Sequence, residues 1–188
     1  TGLVICIHGG GFVGGDKDWI YSHALRIREL LNNNIAVATI NYRLLTENET
    51  EGILKCLNDS KRALQYIRYI HNELNIDKLN IGLYGGSAGA GTAFWLGTND
   101  DMKDINNPDP VLKESSRVKA IGLCGTQASY DIENRWINDV FVDFNILWED
   151  LIPVMEEAGV FFRMYGISSW EEYESPEIDE YRQKVDML

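Results

Sequence analysis

The sequence predicts an α/β chain built on a parallel sheet, and three observations carry that reading. Four short apolar runs, Leu3–Ile7, Ile35–Ile40, Leu79–Tyr84 and Val118–Cys124, have the character of buried strands. Segments of helical spacing lie between the first three, which is βαβ grammar. Two of the runs end in glycine clusters, His8-Gly9-Gly10-Gly11 and Gly85-Gly86-Ser87-Ala88-Gly89. Parallel strands buried on both faces read as continuous apolar runs, and right-handed crossovers place helices on either side of the sheet.

Taken in order, Leu3–Ile7 is a strand, the first glycine cluster a loop, Trp19–Leu31 a helix and Ile35–Ile40 the second strand. Helical spacing returns over Ile53–Leu74, where Ala63, Ile67, Ile70 and Leu74 form a stripe expected to face the sheet. Leu79–Tyr84 is the third strand, Ala88–Leu96 a helix and Val118–Cys124 the fourth strand. Between Gly97 and Arg117 the chain is polar and reads as an ordered loop. Its Asp and Asn residues lack the EF-hand pattern, so turn chemistry is expected there and no metal site. Beyond Gly125, aromatic residues from Trp136 to Trp170 alternate with carboxylates in short helical stretches expected to break at Pro153 and Gly159. Such a stripe serves either as core or as the apolar wall of a cap.

The chain divides on this reading into a core over residues 1–130 and an acidic, aromatic-rich helical insertion over 131–188. With 188 residues and 45% hydrophobic content it can bury one sizeable core. The net charge of −12 is concentrated in the tail: residues 131–188 hold 15 acidic and 4 basic side chains. That field repels phosphate backbones and anionic lipid, so nucleic acid is not an expected partner. No apolar run is long enough to span a membrane. Cys6, Cys56 and Cys124 lack zinc or redox spacing and read as buried free thiols, which fits a reducing, cytoplasmic setting.

The glycine clusters carry the chemistry. A serine flanked at two residues on each side by glycine, directly after a strand, sits on a sharp strand-to-helix turn that holds its hydroxyl up for attack. Ser87 is therefore the candidate nucleophile, with Gly85 and Gly89 making room for the turn. Acyl transfer builds an oxyanion, which needs backbone N–H groups aimed at one point. Ala88 follows the nucleophile and supplies one donor; Gly10 and Gly11 fit the others, with His8 and Gly9 supporting the loop.

Here the chain resembles the hormone-sensitive-lipase-like (HGGG) carboxylesterases of the α/β-hydrolase fold. The resemblance rests on HGGGFVGGDKD at 8–18, NYRL at 41–44 and GGSAGAG at 85–91, and covers about residues 2–130. It implies a three-layer sandwich with the strands in the order second, first, third, fourth, here truncated, plus a helical cap insertion. It also implies hydrolysis of small esters without a cofactor. In that family the order is Ser, then Asp or Glu, then His, yet no histidine follows Ser87. His8 is expected to brace its loop, His71 to be solvated near a helix end, and His23 to lie early in a helix, where it is at most a non-standard base. Asp131 could take the acid position used by a minority of such folds. Both chain ends look cut, with Tyr181–Leu188 running off as a helix. The expectation is a piece of a longer esterase whose Asp and His lie outside it. The alternative is a non-catalytic hydrolase-like small-molecule receptor or scaffold that has lost the triad histidine. Oligomeric state is left open.

Overall fold

Strands β1 (Gly2–Ile7), β2 (Ile35–Ile40), β3 (Ile81–Gly86) and β4 (Ala120–Cys124) form one parallel sheet in the order β2-β1-β3-β4. That is the order the resemblance implies. The computed structural model describes residues 1–126 and 129–186. Within the sheet, Ile5, Ile7 and Ile81 are completely buried, as the central position of β1 and β3 requires. The flanking strands are not: Leu123 of β4 is 38% exposed, and most of β2 is half-buried. The two strands bearing glycine clusters are thus neighbours, and both clusters emerge at the same edge of the sheet.

The connections differ from expectation in detail. A 3-10 turn spans Lys17–His23, capped by Asp16 accepting from the Asp18 N–H at 3.0 Å, and helix α1 follows over Ala24–Asn32. Helix α2 runs over Ile53–Tyr69 and stops short of Leu74, which is 48% exposed. Its buried face carries Leu57, Ser60, Leu64 and Arg68, one position out of phase with the predicted stripe. The displacement has a polar cause. Arg68 donates to the carbonyls of Ser115 at 3.0 Å and of Arg117, and Gln65 donates to that of Glu114 at 2.7 Å. Helix α3 (Ala88–Thr98) leaves β3 and packs on β3 and β4.

The cysteines also depart from expectation. Cys6 and Cys56 are buried, but Cys124 is exposed because it ends an edge strand. The polar loop after α3 contains a short 3-10 turn, Pro110–Lys113, capped by Asp109, and Asx turns at Asp104 and Asn107. Among the described residues no group of three His, Cys, Asp or Glu side chains is placed to hold a metal ion, and no helix is long and apolar enough to cross a membrane.

The chain forms two compact units, one of residues 1–43 and 57–126 and the other of residues 44–56 and 127–188. The second contains a π-helical turn (Ile132–Val140), 3-10 turns at Val142–Phe144 and Pro176–Ile178, and helices α4 (Trp148–Ala158), α5 (Val160–Tyr165), α6 (Trp170–Tyr173) and α7 (Asp179–Asp186). Pro153 does not end α4; it sits inside the helix, which then closes on the left-handed Gly159. Met187 and Leu188, expected to extend the last helix, lie outside the described residues. The unit is organised around Phe161, 4% exposed, whose ring lies 5.0–5.2 Å from those of Tyr165, Trp170 and Tyr173. Residues 44–56 join it through Tyr181, which donates to the Glu51 carbonyl at 2.9 Å and accepts from the Leu54 N–H at 3.1 Å.

Candidate active site

Ser87 stands between β3 and α3 with φ 51° and ψ −122°, a left-handed conformation that L-residues rarely adopt. Neighbouring glycines make this turn possible. A methyl group on Gly85 would lie 2.1 Å from the Gly89 carbonyl oxygen, and one on Gly89 would lie 2.1 Å from that of Ile7. Both clashes are with backbone, so no side-chain rotation relieves them. The Ser87 N–H donates to the Cys124 carbonyl at 2.9 Å, which ties the turn to the end of β4. Ser87 is exposed, and among the described residues its hydroxyl has no hydrogen-bond partner.

The first glycine cluster passes directly beside this turn. A methyl group on Gly9 would meet the Gly86 carbonyl oxygen at 2.7 Å and Cβ of Ser87 at 3.1 Å. Three successive carbonyls of the loop are engaged. The His8 carbonyl accepts from the Tyr42 hydroxyl at 3.0 Å, and the Gly9 carbonyl pairs with His8 Nδ1 at 2.8 Å. The Gly10 carbonyl accepts from the N–H groups of Val13 and Gly14, each at 3.0 Å. In a trans peptide the N–H points opposite to the carbonyl, so the N–H groups of Gly9, Gly10 and Gly11 turn away from these partners. Gly10 and Gly11 are exposed, and among the described residues their N–H groups donate to nothing. Ala88 opens α3, so its N–H has no partner within the helix.

The far end of the loop is tied to β2 and the residues after it. Thr39 Oγ1 donates to the Lys17 carbonyl at 2.8 Å, Asn41 Oδ1 accepts from the Lys17 N–H at 2.6 Å, and Asn41 Nδ2 donates to Asp16 at 2.9 Å. The hydrogen bond from Asn41 and that from the Asp18 N–H hold the Asp16 carboxyl below its ordinary pKa. Asn41 and Tyr42 belong to the NYRL motif, to which sequence reasoning attached no role. The signal available was a polar-aromatic pair directly after a strand.

Two of the three histidines pair a ring nitrogen with a carbonyl, and the third makes a ring contact. His8 is 1% exposed and stacks on Tyr42 with ring centroids 4.4 Å apart. His71 is half-buried, its Nδ1 lying 3.0 Å from the Arg68 carbonyl, rather than fully solvated. His23 ends the 3-10 turn, not an α-helix, and meets Trp19 edge-on at 5.3 Å. Asp131 caps the π-helical turn by accepting from the Asn134 N–H at 3.0 Å.

A parallel sheet in this order, with a left-handed serine at the turn from β3 to α3, defines the α/β-hydrolase fold. Residues 1–133 match the BD-FAE family model, and the chain belongs to that family. Among solved structures it is similar to an acetyl ester-xyloside bifunctional hydrolase from Caldicellulosiruptor lactoaceticus, at 31% identity and a TM-score of 0.60, covering 70% of this chain and 46% of that one. It is also similar in fold to Thermogutta terrifontis esterase 2 with butyrate bound, at 20% identity and a TM-score of 0.60, covering 83% of this chain and 51% of that one. The same esterase phosphoramylated by tabun matches at 20% identity and a TM-score of 0.58, over 71% of this chain and 48% of that one. The chain therefore spans about half the length of these structures. No curated protein matches it.

Proposed function

We propose that this chain carries the nucleophile and oxyanion donors of a serine ester hydrolase acting on small esters. The observation that carries the reading is the exposed Ser87, on a strained turn beside a loop whose Gly10 and Gly11 N–H groups have no partner among the described residues. Ser87 Oγ attacks the ester carbonyl while a base takes its proton, and the negative charge that moves onto the carbonyl oxygen is held by the N–H groups of Gly10, Gly11 and Ala88. Collapse expels the alcohol, which regains the proton, and water then releases the acid from the acyl-serine. The base and its orienting carboxylate are placed in polypeptide outside this sequence, since the order Ser, then Asp or Glu, then His requires a histidine after Ser87 and this sequence has none there. The acetyl ester hydrolase and the butyrate-bound esterase among its structural neighbours support short acyl groups.

The test uses the whole polypeptide that includes this sequence, assayed on p-nitrophenyl acetate and butyrate. Hydrolysis is expected, and Ser87→Ala should reduce kcat by about 10⁴-fold or more while the circular dichroism spectrum is retained. Undiminished turnover in that variant overturns the assignment of Ser87. A wild-type protein that binds such esters without hydrolysing them overturns the hydrolase reading in favour of a receptor.

A further inference from the structure

We infer that Tyr42 is a positioning residue for the oxyanion donors: its hydroxyl on the His8 carbonyl and its ring on the His8 imidazole set the orientation of the Gly10 and Gly11 N–H groups. The inference rests on the function proposed above and deepens it.

The argument runs through consecutive peptide planes. Tyr42 lies 34 residues from His8 in sequence, is 5% exposed, and reaches the His8 carbonyl at 3.0 Å. That bond fixes the plane of the peptide joining His8 to Gly9. The Tyr42 ring also lies parallel to the imidazole, 13° from coplanar. Held in this way, the imidazole presents Nδ1 to the Gly9 carbonyl at 2.8 Å and so fixes the next plane, the one that carries the Gly10 N–H. The following plane, with the Gly11 N–H, is set by the two bonds to the Gly10 carbonyl. Glycine offers no side-chain resistance to rotation about its backbone torsions. A run of three glycines therefore holds one orientation only through outside contacts, and Tyr42 with His8 supplies those for its first half. Phe12, 3% exposed and 6.0 Å from the Tyr42 ring, belongs to the same buried cluster.

A hydrogen bond that merely stabilises the fold would, when lost, lower thermal stability and leave transition-state stabilisation intact. Loss of a bond that aims oxyanion donors has a different signature: kcat falls, KM holds, and the enzyme loses its preference for an oxygen over a sulfur at the carbonyl. Sulfur is a poor acceptor of N–H bonds, so a thionoester reports little of the oxyanion contribution.

The test is Tyr42→Phe in the whole polypeptide, with the exposed Tyr69→Phe as control. The expected result is a kcat for p-nitrophenyl acetate lowered about 10- to 100-fold, KM within about twofold of wild type, and an ester-to-thionoester rate ratio lowered about 10-fold. In ¹⁵N-labelled protein, the amide signals of Gly10 and Gly11 and the ring nitrogens of His8 should shift in this variant and not in the control. An unchanged rate ratio with unchanged Gly10 and Gly11 signals overturns the inference, whatever happens to the melting temperature. If the wild-type protein hydrolyses no ester, the proposed function fails, and the amide signals alone then decide whether Tyr42 orients the loop.

Discussion

Gly9 runs so close to Ser87 that a single methyl group on it would fall 3.1 Å from the serine Cβ and 2.7 Å from the carbonyl oxygen just before it. The two glycine clusters are therefore in direct contact, although Gly9 and Ser87 lie 78 positions apart in sequence. Gly9→Ala must push the first loop away from the serine turn, because the nearest obstacle is backbone. A displacement of about 1 Å at reacting groups is enough to lower turnover about 100-fold. Steady-state kinetics on p-nitrophenyl acetate should show that loss in kcat, and a rate within twofold of wild type would contradict the contact.

Ser87 stores strain of about 1–3 kcal/mol in its left-handed backbone. Ser87→Gly relieves that strain, offset in part by the entropy of a glycine in the unfolded chain. The expected outcome is hydrolysis abolished and unfolding stability raised by about 1 kcal/mol. Urea denaturation checks it, and a destabilised variant would show that the turn is relaxed.

Glu49 is buried in the second unit and accepts from the N–H groups of Thr46, Thr50, Glu51 and Gly52 at 2.8–3.2 Å, with Lys55 beside it. Burial pushes its pKa up, but these partners outweigh burial and hold it at about 2, below the ordinary 4.5. A depressed folded-state pKa stabilises the protein above the unfolded value, and that stability is lost as pH falls from about 4.5 towards 2. Glu49→Gln should flatten the stability profile over this window and lower the unfolding midpoint at pH 7. A profile as steep as wild type would contradict the assignment.

Phe161 touches Trp148, Phe162, Tyr165, Trp170 and Tyr173 through its ring. Truncation to alanine removes the shared partner of the cluster, and Phe161→Ala is expected to destabilise this unit by about 3–5 kcal/mol. The near-UV circular dichroism of these aromatic residues should weaken on substitution. An unchanged spectrum with unchanged stability would mean that the cluster tolerates the cavity.

The sequence made the sheet legible because Leu3–Ile7 and the run into Tyr84 are apolar strands buried on both faces, and because glycine at positions 85 and 89 has a steric reason to be there. The phase of α2 was not legible. Ser60, Gln65 and Arg68 are polar yet buried, since Gln65 and Arg68 satisfy carbonyls of residues 112–117, and hydrophobic periodicity sees no such partners. Cys124 looked buried by composition but lies exposed at the end of an edge strand. The role of Tyr42 depends on a contact across 34 residues, which no local pattern encodes.

The central claim is that the Ser87 hydroxyl is the group that attacks. Incubating the whole polypeptide with a fluorophosphonate and mapping the adduct by mass spectrometry tests it most directly. One phosphonyl group, on the peptide containing Ser87 and absent from Ser87→Ala, is the result predicted here. A protein that hydrolyses esters yet carries its adduct on another residue would contradict it.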